Sequence, residues 1–83
     1  LTLSYEWDDL ARTKLVRVLG ASEGDLVFAR TLAKTGKPHL RSANDVYEFA
    51  QFLKTETAVI AAVGSMLALA AVMRGADPAE IGR

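Results

Sequence analysis

Ala58-Val59-Ile60-Ala61-Ala62-Val63-Gly64-Ser65-Met66-Leu67-Ala68-Leu69-Ala70-Ala71-Val72-Met73 runs for sixteen residues without a charge. Read as a helix, it is apolar all the way round, and such a helix needs neighbours on every side. Ala58, Ala61, Ala62, Ser65 and Ala68 fall on one side of the wheel, and Val59, Val63, Met66, Leu67 and Ala70 on the other. A bilayer span takes roughly 17–25 apolar residues. This run sits near that lower limit, and half of it is Ala, Gly or Ser, which insert poorly. The reading is therefore the central helix of a bundle. Its small side chains allow another backbone to come close, as small-xxx-small seams do. Ala61, Gly64, Ser65 and Ala68 are the expected seam, facing either the first helix or the same helix of a second copy.

Working outward, strong breakers divide the chain at Gly20, at Gly36-Lys37-Pro38 and at Gly75 with Asp77-Pro78. Between them apolar residues recur at three- and four-residue spacing, with no sustained alternation. Trp7, Leu10, Ala11, Leu15, Val18 and Leu19 form one stripe, which predicts a first helix over about 5–19. Ser22, three residues before Asp25, predicts a capped second helix over 23–35, with Leu26, Ala29, Leu32 and Ala33 inward and Val27 and Phe28 widening that face. Ser42 and Asp45 repeat the device for a third helix over 43–54, whose inward set is Val46, Tyr47, Phe49, Ala50 and Leu53. A fourth helix spans 57–74, separated from the third by a break near Thr55. Asp77-Pro78-Ala79-Glu80 reads as the first turn of a fifth. Acids precede bases within the first three helices, which complements the helix macrodipole and accounts for most of the charge.

The 83 residues allow one domain, 1–83, and Leu1 in place of Met leads us to expect a segment of a longer chain. Apolar residues make up 51%, and ten bases balance ten acids, so no net charge keeps copies apart. A chain of this size buries only roughly 60–65% of its unfolded surface, which makes a partner the expected way to cover the rest. The absence of cysteine excludes disulfides and thiolate chemistry, and the single histidine, His39, excludes a His-pair zinc site within one chain. Neither a phosphate-binding glycine loop nor a nucleophile–base–acid set can be assembled from the spacing. We expect no catalytic residue, no cofactor and no metal.

Two motifs compete with the bundle reading. Leu15, Leu19, Ala21, Leu26 and Ala29 occupy the apolar positions of a helix-turn-helix, with Gly20 in the turn. The residues that would then face DNA, Glu23, Gly24, Val27, Phe28 and Thr31, are poor readers of a groove lined by phosphates. A capped αα-hairpin accounts for every one of them and is the preferred reading, and Val27 with Phe28, if not core, then becomes an accessory protein-contact patch. Lys34, Lys37, His39 and Arg41 cluster around Pro38 with no acid between Asp25 and Asp45, an arrangement that could attract a phosphate-bearing partner. His39 itself reads as an exposed loop residue. Finally, Tyr5-Glu6-Trp7 is echoed by Tyr47-Glu48-Phe49 at an offset of 42, which could mark duplicated hairpins but reads more simply as coincidence.

The sequence thus predicts an all-α fold, a compact bundle of four main helices plus a short C-terminal turn, with helix 57–74 at its centre. The expected function is a non-enzymatic cytoplasmic protein–protein interaction or dimerisation module. The alternatives are a nucleic-acid-binding regulator using 15–35 and the basic loop 34–41, and a membrane-associated helical protein.

Overall fold

The computed structural model describes residues 5–78. Its four helices are α1 (Glu6–Leu19), α2 (Ala21–Thr35), α3 (Ala43–Leu53) and α4 (Ala58–Met73), and the described residues contain no strand. Each helix packs chiefly on its neighbour in sequence, α1 on α2 and α3 on α4, and the two hairpins close over a shared core. The architecture is the expected all-α four-helix bundle. Of the expected first turn of a fifth helix, 77–80, Pro78 is helical, and Ala79 and Glu80 lie outside the described residues.

The α1–α2 turn is one residue long. Gly20 takes φ 91° and ψ 166°, a region that L side chains rarely adopt, so its lack of a side chain makes the turn possible. Its N–H bonds the Val16 carbonyl at 2.8 Å, ending α1, and its own carbonyl accepts the Gly24 N–H at 2.8 Å, starting α2. The second helix therefore begins at Ala21, two residues before the expected start, and Ser22 lies exposed in its first turn without capping it.

The inward face of α2 also differs from the one expected. A Cβ on Gly24 would stand 2.7 Å from Val16 Cα, so the two backbones touch where Gly24 has no side chain. With Gly24 turned onto α1, helical spacing brings Val27, Phe28 and Thr31 inward with it, and all four are buried. Leu26 points out, 61% exposed, as do Ala29 and Ala33, and Leu32 is half-buried. Val27 and Phe28 are consequently core, not a contact patch. Phe28 packs against Phe49 of α3 with ring centroids 5.5 Å apart, and the Arg12 guanidinium lies over its ring, 4.8 Å from the centroid.

The third helix follows its sequence closely. Ser42 Oγ accepts the Asp45 N–H at 3.2 Å, and Asp45 Oδ2 accepts the Arg41 N–H at 2.9 Å, a reciprocal start of the capping-box kind. Ala43, Val46, Phe49, Ala50 and Leu53 are buried, with Tyr47 partly so. Helix α3 ends at a turn where Thr55 and Glu56 donate their N–H groups to the Phe52 and Leu53 carbonyls, so the break between α3 and α4 falls at Thr55, where it is expected. The Tyr-Glu-aromatic echo has no structural counterpart. Tyr5 stands at the N-cap of α1, whereas Tyr47 lies within α3.

Helix α4 lies along α3 and touches α1, and it scarcely meets α2. Ile60, Val63, Gly64, Leu67, Ala68 and Ala71 face the core. A Cβ on Gly64 would stand 2.9 Å from the Ala50 carbonyl oxygen and from Leu53 Cβ, so the small-residue approach predicted for α4 is made to α3. Of the expected seam, Gly64 and Ala68 are buried inside the chain, Ala61 is half-buried and Ser65 is exposed. The seam as a whole is not a free surface. The enclosure expected of this helix is met along one flank only.

Candidate interaction surface

The other flank of α4 is open. Val59, Met66, Leu69, Val72 and Met73 are all exposed, Leu69 at 63% and Met73 at 77%, and Ala58, Ala62 and Ser65 are exposed among them. Val59, Ala62, Met66, Leu69 and Met73 step by three, four, three and four residues, so they form one stripe along the helix. No charged side chain occurs anywhere in α4. The eight exposed residues, seven of them apolar, present on the order of 600 Å² of surface, at the top of the roughly 300–600 Å² typical of the largest apolar patch on a monomer. Isolated exposed apolar residues such as Val18 and Leu26 are ordinary. A continuous uncharged stripe is not. Among the described residues no helix is long and apolar enough to cross a membrane.

The basic loop is arranged quite differently from the sequence expectation. Lys37 Nζ lies 3.1 Å from both Asp45 Oδ1 and Glu48 Oε2, and Lys34 Nζ reaches Glu56 Oε2 at 3.5 Å. Arg30 Nη2 reaches the other oxygen of Glu56 at 2.8 Å. Partial burial works against the Lys37 ammonium, but its hydrogen bonds to Asp45 and Glu48 and their charges outweigh this and raise its pKa above the ordinary 10.5. Burial likewise works against the Glu56 carboxylate, and Arg30 with Lys34 reverses it, lowering the pKa below 4.5. The acids that the linear sequence keeps away from this loop are returned to it by folding. The side chains of Lys34, Lys37 and His39 each lie beside an acid, and the Arg41 backbone N–H bonds Asp45 Oδ2.

His39 is not a free loop residue. Its Nδ1 lies 2.7 Å from Asp8 Oδ2, and its ring stacks on Tyr5 with centroids 4.1 Å apart. Asp8 is buried in the first turn of α1, and its Oδ1 accepts the Leu40 N–H at 2.6 Å. Composition hides this contact, but position signals it. Asp8 shares the inward stripe of α1 with Ala11 and Leu15, and an acid on a core-facing stripe needs a partner. Among the described residues no three His, Cys, Asp or Glu side chains converge as a metal site would require.

The helix-turn-helix reading places Glu23, Gly24, Val27, Phe28 and Thr31 towards a groove, but of these only Glu23 is exposed and the other four are buried in the bundle. That face of α2 is closed. Five of the eight large apolar side chains exposed among the described residues lie on α4. The chain matches no protein-family model, no curated protein and no solved structure.

Proposed function

We propose that the chain is a non-enzymatic cytoplasmic interaction module that associates with a second copy of itself through the open flank of α4. The observation that carries this reading is the uncharged stripe of Val59, Ala62, Met66, Leu69 and Met73 on an otherwise mixed-charge surface. A patch of about 600 Å² on each copy, if wholly covered, gives a total of at most about 1,200 Å², the lower edge of the range for stable interfaces. A net charge of zero leaves little long-range repulsion between identical chains.

Light scattering on the purified chain, across a hundredfold range of concentration, tests this reading. The expected result is twice the single-chain mass at the upper concentrations, falling to the single-chain mass in Leu69→Glu. A single-chain mass for the unaltered protein at every concentration overturns it.

A further inference from the structure

Resting on the self-association reading above, we infer that the two α4 helices pair antiparallel, about a two-fold axis passing beside Met66. The stripe is close to symmetric about that residue. Val59 and Met73 lie seven positions to either side, and Ala62 and Leu69 lie four and three positions away. Reversing one helix therefore sets Val59 against Met73 of the second copy, and Ala62 against Leu69. Small then faces large on either side of a central Met66–Met66 contact, which is how facing helices interdigitate. Parallel pairing would set Ala62 against Ala62 and Leu69 against Leu69, leaving a gap at one level and crowding at the next.

Two electrostatic arguments favour the same direction. Antiparallel helices place opposite ends of their macrodipoles together, whereas parallel ones place like ends together. Arg74 is the cation that follows the stripe, at the C-cap of α4. In the antiparallel pair the two Arg74 residues are separated by the helix length, about 24 Å at 1.5 Å per residue, well beyond the roughly 8–10 Å screening length. In the parallel pair they stand side by side.

The absence of cysteine from the chain makes the test direct, because any introduced thiol is the only one present. Met66→Cys, Val59→Cys and Met73→Cys all alter exposed side chains, so none opens the core. A disulfide requires Cα atoms within about 7 Å. Under mild oxidation Met66→Cys alone should give a covalent dimer. Val59→Cys alone should not, because the two copies of position 59 lie about 21 Å apart along an antiparallel seam. A mixture of Val59→Cys and Met73→Cys should cross-link at least about tenfold faster than either variant by itself.

Self-linking of Val59→Cys as fast as Met66→Cys would overturn the antiparallel direction while leaving self-association in place. No cross-link in any sample, with double mass still seen by light scattering, would overturn the α4 seam. No cross-link with single-chain mass would overturn self-association itself.

Discussion

His39 Nδ1 stands 2.7 Å from Oδ2 of Asp8, thirty-one residues earlier, and the same carboxylate accepts the Leu40 N–H at 2.6 Å. One buried acid, 4% exposed, thus fastens the start of α1 to the loop that leads into α3. The contact anchors the connection between the two hairpins to the first turn of α1. Its two bonds differ in their surroundings. The Leu40 N–H is buried, whereas the His39 side chain is 39% exposed.

That difference sets an order among variants. Asp8→Ala leaves the Leu40 N–H without an acceptor and should lower unfolding free energy by about 1–3 kcal/mol. His39→Ala leaves that bond intact and should cost about 0.5–1.5 kcal/mol. Urea denaturation of both variants measures the order, and a larger loss in His39→Ala would contradict it.

The direction that α2 faces is open to a similarly simple comparison. Phe28→Ala removes a buried ring packed on Phe49 and should cost about 3–5 kcal/mol. Leu26→Ala, two residues away but turned to solvent, should change stability by less than about 0.5 kcal/mol. Thermal denaturation distinguishes them, and comparable losses would return Leu26 to the core.

Gly24→Ala and Gly64→Ala oppose two effects. Alanine is favoured over glycine inside a helix by about 1 kcal/mol. The added Cβ, however, would meet Val16 Cα at 2.7 Å in one case and the Ala50 carbonyl oxygen at 2.9 Å in the other. Both obstacles are backbone, so whole helices must separate. Overpacking of this kind costs about 1–3 kcal/mol, and the net change should be a loss. Denaturant midpoints higher than that of the unaltered chain would contradict the close approach.

Stability should fall on both sides of a broad pH plateau. Glu56 has a lowered pKa in the fold, so its contribution is present above the ordinary 4.5 and is lost as pH drops below it. Lys37 has a raised pKa, so its contribution is present below 10.5 and is lost as pH rises beyond it. Melting temperature measured against pH should therefore decline less steeply below pH 4.5 in Glu56→Gln than in the unaltered chain. Lys37→Met should flatten the alkaline limb in the same way, and unchanged limbs would remove both contributions.

The parts of this fold that were legible in the sequence are those written in side chains. Ser42 and Asp45 mark the start of α3, and the apolar spacing of Val46, Phe49, Ala50 and Leu53 gives its inward face correctly. Glycine supplies no such mark. Gly20 starts α2 through its backbone, against the competing signal of Ser22, and Gly24 sets the helix's rotation by what it lacks. Helix α4 is apolar on every side, so hydropathy gives it no direction. Its open flank follows from Gly64, which fixes the side laid against α3. The pairing of Lys34 and Lys37 with Glu56, Asp45 and Glu48 arises only after folding, because the acids lie 8 to 22 residues along the chain.

The beginning of α3 also holds the chain where it leaves α4, since Asn44 Oδ1 accepts the Asp77 N–H at 2.8 Å. Leu40, a few residues before it, is tied to the first turn of α1. Both extremities of the described bundle therefore gather at one pole. A host protein could receive 5–78 as a graft within a single surface loop, entering and leaving at neighbouring points. Because the stripe runs along the length of α4, such a splice would leave most of it clear for a second copy.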